Sequence, residues 1–180
     1  MAETVRLAAR AGLGGISIED VRQGGGHYDA ALATERIRAA ASAARALRRD
    51  FVLVARADGV MNGTYGMDEA LARIRAFDAA GADCLYVPLP PTADDLARVV
   101  RATAKPVNAL AAGPFARMNR SEFAAIGVAR ISLGSSLARV THRAIRDAAV
   151  AMFGAGDFSP LAGGIRGDEV DALLAKGAAD

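Results

Sequence analysis

Apolar and polar positions alternate between two periods along the chain. Gly14 to Asp20, Phe51 to Asp58, Ala82 to Pro90, Pro106 to Ala112 and Ala129 to Ser135 are short runs rich in Val, Ile and Leu, bounded by Gly, Pro or Asp. Runs of this length and composition predict buried parallel strands. Between them the apolar residues fall at steps of three and four: Ile37, Ala40, Ala44 and Leu47; Met67, Leu71, Ile74 and Phe77; Leu96, Val99 and Val100. Each set predicts a helix with one apolar face. Gly81 and Gly127 end helices, and Arg49-Asp50 and Lys105-Pro106 open the strands that follow. A short helix over Glu3 to Ala11, which Gly12 can terminate, precedes the first strand. Helices over Leu137 to Met152 and Asp168 to Lys176 follow the last.

A strand followed by a helix, repeated, calls for a parallel sheet with right-handed crossovers. The fold class is therefore α/β, with about five parallel βα units. Two architectures fit, an open doubly wound sheet or part of a (β/α)8 barrel. A complete barrel takes about 250 residues, and 180 are present, a shortfall of roughly three βα units. Gly154-Ala155-Gly156 separates residues 1–156, the partial barrel, from a helical extension over residues 157–180.

Composition narrows the class. Hydrophobic residues make up 52% of the chain and the formal charge is +2, which excludes a disordered chain of low hydropathy and high charge. All but Lys105 and Lys176 of the 22 basic residues are Arg, and they form no dense block, so a nucleic-acid partner is not expected. The lone Cys84 allows no disulfide within the chain and suits a reducing compartment. No apolar stretch approaches the roughly 18 residues that span a bilayer, and Met1-Ala2-Glu3-Thr4 does not begin a secretion signal. A cytoplasmic protein without membrane contact is expected.

In either architecture ligands bind at the carboxyl ends of the strands. The polar residues there are Glu19 and Asp20, Arg56 and Asp58, Asn108, and Ser132 with Gly134 and Ser135; the third run ends in Tyr86-Val87-Pro88. Side chains alternate across a strand, so Glu19 shares a face with Gly15 and Ser17 and opposes Ile16, Ile18 and Asp20. A carboxylate at that position is a hard oxygen ligand suited to Mg²⁺, or it caps the next loop. Arg56 in an apolar strand needs an anionic partner, either Glu19 or Asp58 within the fold or a substrate carboxylate. Gly24-Gly25-Gly26-His27 lies where a mobile lid would be placed, or is a plain connector. Leu110 to Gly113 and Ser132 to Ser136 could offer backbone N–H groups to a phosphate. Cys84 reads as a small buried hydrophobe and His142 as a helix-surface residue. No zinc spacing, Walker loop, nucleophile elbow or dinucleotide fingerprint is present.

Taken in order, several segments resemble the isocitrate lyase and phosphoenolpyruvate mutase superfamily over essentially the whole chain. They are Ala11 to Asp20 (AGLGGISIED), Glu35 to Ala40 (ERIRAA), Val54 to Asp58 (VARAD), Ala80 to Pro88 (AGADCLYVP), Lys105 to Asn108 (KPVN) and Gly127 to Gly134 (GVARISLG). The resemblance implies a Mg²⁺-dependent barrel enzyme that makes or breaks a C–C or P–C bond beside the carbonyl of a 2-oxo acid, through an enolate. On this reading Glu19 is the metal-site glutamate and Arg56 the substrate-carboxylate arginine. The candidate catalytic residues are Arg56 and His27. The candidate substrate-binding residues are Arg56, Asn108, Ser132 and Gly134, and the expected ligand is a small 2-oxo acid or dicarboxylate.

Two departures from the family pattern shape the expectation. The loop after Glu19-Asp20 lacks the cysteine that the lyases carry before Gly-His, so cleavage of isocitrate or methylisocitrate is not expected. The third strand ends in Val-Pro without the nearby Glu of the lyases. The resemblance also implies three further βα units before Glu3, carrying the Asp-x-Asp-x-Gly-Tyr-Gly segment that supplies the main metal carboxylates. Met1 is then expected to be an internal start codon, the Mg²⁺ site to be incomplete, and the chain to have reduced or no activity alone. Five strands leave two raw sheet edges, so a homo-oligomer is expected, with Val170, Leu173 and Leu174 packing on a neighbour or on their own barrel. A catalytically dead half-barrel serving oligomerisation or binding is the alternative. A barrel enzyme for phosphorylated sugars is a third reading.

Overall fold

A computed structural model describes residues 1–178, which form two compact units, Met1–Gly134 and the segment from Ser135 onward. The first unit opens with helix α1 (Ala2–Arg10), followed by β1 (Gly15–Glu19), α2 (Ala30–Arg45), β2 (Val52–Arg56), α3 (Gly59–Asn62) and α4 (Met67–Ala79). It continues with β3 (Cys84–Tyr86), α5 (Ala93–Arg101), β4 (Val107–Leu110), α6 (Arg120–Ile126) and β5 (Arg130–Ser132). The strands form one sheet in the order β1-β2-β3-β4-β5, and every neighbouring pair is parallel.

That order decides between the two architectures the sequence allows. A doubly wound sheet reverses its strand order at a switch point. Here each strand lies beside its successor without reversal, as in a (β/α)8 barrel, and the fold is a partial barrel of that kind. The outer face of the sheet and the helices enclose the main core, in which Ile37, Leu53, Ile74, Phe77, Leu85 and Val107 are at most 2% exposed. Alanines on α2 (Ala33, Ala40, Ala41 and Ala44) bring that helix close to its neighbours. The opposite, concave face carries a smaller cluster of Val54, Cys84 and Tyr86 with Leu110.

Register sets the layout of the concave face. Glu19 pairs with Arg56, Arg56 with Tyr86, Tyr86 with Asn108, and Asn108 with Arg130. Residues in register on parallel strands point to the same face, so a polar row crosses all five strands.

The strands are shorter than the apolar runs that predicted them. The third run stops pairing at Tyr86 because Pro88 offers no N–H to a ladder and Leu89 adopts a left-handed backbone (φ 46°). The four-residue α3 escapes the periodicity because it is barely one turn long. Helix α6 is fixed at both ends, by a capping box between Asn119 and Glu122 and by Gly127 in the left-handed conformation.

The second unit comprises α7 (Ser136–Ala155), a 3₁₀ turn (Ser159–Gly163) and α8 (Gly167–Gly177). Gly156, with φ 69°, ends α7. The compact units divide after Gly134, and within the second one α7 and the 3₁₀ turn pack on each other. Residues 179 and 180 of the expected extension lie outside the described residues. Leu137, Val140, Ile145 and Phe153 on α7 are largely exposed, as are Leu173 and Leu174 on α8. Among the described residues no helix is long and apolar enough to cross a membrane.

Candidate functional site

Glu19 and Asp20 end β1 and point to opposite faces, as alternation requires. Asp20 is buried and holds the fold together. Its Oδ1 accepts the Asp58 N–H at 2.9 Å, and its Oδ2 accepts the Tyr65 hydroxyl at 2.5 Å and Arg73 Nη1 at 3.2 Å. Arg73 is 2% exposed and also donates to the Tyr28 carbonyl and to Glu69. Burial and the bond to Asp20 push the Tyr65 hydroxyl well above the usual phenol range. Glu19 stays half exposed, and its backbone carbonyl accepts from Arg36 on α2 at 2.8 Å.

Arg56 ends β2 on the concave face. Its Nη1 lies 2.6 Å from Glu19 and its Nη2 2.5 Å from Asp58, and its guanidinium stands 5.0 Å from the centre of the Tyr86 ring. Both internal partners weighed for this arginine are therefore engaged. Two ion pairs still use only part of a five-donor fork, and Nε is buried without a partner. Asp58 has no exposed surface. Burial pushes its carboxyl up to about 6, against the opposing effect of Arg56. Burial also raises the Tyr86 hydroxyl, although Ser132, Arg56 and Arg130 favour its ionised form.

On β4 and β5 a second polar chain runs through Asn108, which is fully buried. Arg130 Nη1 donates to Asn108 Oδ1 at 2.9 Å, and Asn108 Nδ2 donates to Ser132 Oγ at 2.9 Å. The guanidinium can only donate, which fixes the amide with its oxygen toward Arg130 and its NH₂ toward Ser132.

These side chains border a cavity of about 620 Å³ on the concave face, lined by Gly15, Ser17, Arg56, Tyr86, Arg130, Ser132 and Gly134 among others. Gly15 and Ser17 leave room there, as the sequence suggested. The fold brings Glu19, Arg56, Asn108, Ser132 and Gly134 to this face or its rim. His27 is not among the lining residues. It sits on the hairpin closed by the Val21–His27 bridge, its ring edge-on to Tyr65 at 4.9 Å. The hairpin tip, Gly24 to Gly26, has positive φ at all three positions, a conformation that costs glycine little.

Sequence reasoning did not single out Tyr86 or Arg130 as site residues. Counting back two from Ser132 would have found Arg130 on the same face. The Asp20–Tyr65–Arg73 clamp gave no local signal, because its members lie 45 and 53 residues from Asp20 in the chain.

Donor chemistry tests the expected Mg²⁺ site. Among the described residues no three of His, Cys, Asp and Glu are grouped to hold a metal. The oxygens of Asp20 are taken, and Asp58 is buried against Arg56. Glu19 alone offers an accessible carboxylate, so these residues do not by themselves make up a magnesium shell.

Residues 1–153 match the family described as phosphoenolpyruvate phosphomutase. Among solved structures, a lyase/mutase-type protein of Burkholderia cenocepacia J2315 superposes with a TM-score of 0.90 at 40% identity, covering 97% of this chain and 63% of that one. A phosphonomutase-type protein of the same organism gives 0.72 at 32% identity, over 87% of this chain and 63% of that one. An oxaloacetate acetylhydrolase bound to its product oxalate gives 0.76 at 26% identity, over 99% of this chain and 66% of that one. No curated protein matches the chain. The chain thus spans somewhat under two thirds of the length of these relatives. A family match over most of its residues, with a close structural relative in register along nearly all of them, makes the chain a member of the phosphoenolpyruvate mutase/isocitrate lyase superfamily.

Proposed function

We propose that the chain carries part of the site of a Mg²⁺-dependent lyase or phosphonomutase-like enzyme, acting at a C–C or P–C bond beside the carbonyl of a 2-oxo acid. The observation that carries this reading is Arg56, a guanidinium held by Glu19 and Asp58 at the end of β2 with spare donors and an open cavity before it. Its fork suits a substrate carboxylate. The Asn108 amide and Ser132 hydroxyl, fixed by Arg130, add neutral polar groups for the substrate's remaining oxygens. Magnesium would neutralise charge developing on an enolate oxygen. Glu19 is the residue here that would face it, although among the described residues no group of three ligands surrounds that position. His27 would act only if the glycine hairpin brought it to the cavity.

The test is turnover of a panel of 2-oxo acids and dicarboxylates with Mg²⁺, followed as pyruvate, glyoxylate or oxalate released. Arg56→Ala and Glu19→Gln should each abolish any activity found. Turnover that survives Arg56→Ala would overturn the assignment.

A second reading, a catalytically inactive binding or oligomerisation module, is favoured by the absence of a three-ligand metal group among the described residues. Calorimetry separates the two, because a tight Mg²⁺ site excludes the module. Self-association belongs to both readings and is supported by the exposed Leu137, Val140, Ile145 and Phe153. Sedimentation at several concentrations measures it.

A further inference from the structure

Asp58 precedes α3, but its side chain caps nothing in that helix. The residue is pinned from two sides instead. Its N–H donates to Asp20 Oδ1 at 2.9 Å, and its own Oδ1 accepts from Arg56 Nη2 at 2.5 Å. Oδ2 is buried without a hydrogen-bond partner among the described residues, and the residue has no exposed surface. A carboxylate with one dry oxygen is costly to keep ionised.

The two oxygens therefore have separate roles. A proton on Oδ2 removes the charge and leaves Oδ1 to accept from Arg56 as before. The hydrogen bond survives in both protonation states, so the guanidinium keeps its place while the negative charge behind it comes and goes. Burial raises the Asp58 carboxyl from 3.8 to about 6, against the hydrogen bond and charge of Arg56, and the charges of Glu19 and Asp20 on β1 act in the same direction as burial. Tyr86 faces the pair from β3, its ring 5.0 Å from the guanidinium, and its hydroxyl feels the charges of both Arg56 and Asp58. From α4 and the turn before it, Arg73 and Tyr65 are directed at Asp20, and His27 packs on the Tyr65 ring.

We infer that Asp58 is a positioning residue of this site: it holds Arg56 in one place through Oδ1, and its charge decides how strongly that arginine attracts the carboxylate of a ligand. This rests on the reading of Arg56 as the substrate-carboxylate arginine and adds a proton-dependent control to it. With Asp58 ionised, two carboxylates compete with the ligand for one guanidinium. With Asp58 neutral only Glu19 does, and the ligand binds more tightly. The two events are linked, so a bound carboxylate in turn favours the protonated form of Asp58.

The experiment measures binding of pyruvate, whose carboxylate stays ionised throughout, to the full chain at pH 5 and pH 7.5. Calorimetry gives the affinities, and the ¹⁵N resonance of Arg56 Nε, an atom buried without a partner, follows the state of the ion pair. Wild type should bind pyruvate at least about fivefold more tightly at pH 5, the low end of the usual coupling between two sites. Asp58→Asn keeps an oxygen for Arg56 and cannot ionise, so it should bind with the tighter affinity at both values. In the free wild-type chain the Nε resonance should step with a midpoint near pH 6, and saturating pyruvate should move that midpoint to higher pH. This last measurement needs no variant and stands if Asp58→Asn misfolds.

A pyruvate affinity that is the same at both pH values, while Arg56→Gln abolishes binding, overturns the inference and leaves the reading of Arg56 standing. A pH dependence that persists in Asp58→Asn also overturns it, because the proton then belongs to another group. So does a midpoint that bound pyruvate leaves in place. Binding that Arg56→Gln does not weaken, or no binding at either pH, overturns the reading of Arg56 and this inference with it.

Discussion

Arg56 Nη2 lies 2.5 Å from Oδ1 of Asp58, a carboxyl group with no exposed surface whose Oδ2 has no hydrogen-bond partner. The arginine that faces the cavity is thus anchored from below by a group that burial makes reluctant to ionise.

The first prediction concerns pH. The Asp58 carboxyl is raised from 3.8 to about 6, chiefly by burial. Between those values the folded chain holds a proton that the unfolded chain has released. Stability conferred by this group is therefore full below about pH 4, falls as pH rises toward 6, and is flat above. The change is on the order of 3 kcal/mol. Asp58→Asn removes the titration, so wild type minus variant, measured by urea unfolding from pH 4 to pH 7, should decline across that window. A constant difference would show that Asp58 ionises normally.

Glu19 and Asp20 are adjacent in sequence and should differ sharply when mutated. Asp20→Ala removes a carboxylate partner from the buried Arg73 and a bond from Tyr65, and should cost about 3 kcal/mol or more. Glu19→Gln alters a half-exposed ion pair and should cost less than about 1 kcal/mol. Denaturation midpoints at pH 7 give both numbers, and equal losses would contradict the division of labour.

Gly59 owes its identity to Tyr65. A Cβ at residue 59 would lie 2.1 Å from the Tyr65 ring. Gly59→Ala must therefore displace the ring and break its bond to Asp20, and should destabilise by about 1–3 kcal/mol. Gly14→Ala, with nothing within 4 Å of the added methyl, should change stability little. Thermal unfolding of the two variants tests the contrast.

Cys84 is 5% exposed and lies on the concave face. Burial raises its thiol above the ordinary range, and the thiolate is the reactive form. Reaction with a disulfide reagent at pH 8 should be slow in the native chain and fast in urea. Rapid native reaction would show the cavity wall to be open around β3.

The βα alternation was legible because strands buried on both faces and amphipathic helices leave different periods in the sequence. Alternation along β1 was enough to separate Glu19 from Asp20 and to group Glu19 with Gly15 and Ser17. Arg56 stood out because a charge in an apolar strand demands a partner. His27 looked like a lid residue because a loop's position follows from topology, whereas its contacts do not. Its ring edge-on to Tyr65 depends on the turn between α3 and α4 approaching the end of β1.

By itself, the sequence determined the kind of elements, their order, the carboxyl-end residues and the family pattern, all of which follow from local periodicity and residue chemistry. Only the tertiary structure decided the unreversed strand order, the register that aligns Glu19, Arg56, Tyr86, Asn108 and Arg130, and the pairing of Arg56 with both carboxylates. Those features depend on which strands become neighbours and at what offset, and the energy that fixes the offset comes from packing between segments tens of residues apart in the chain.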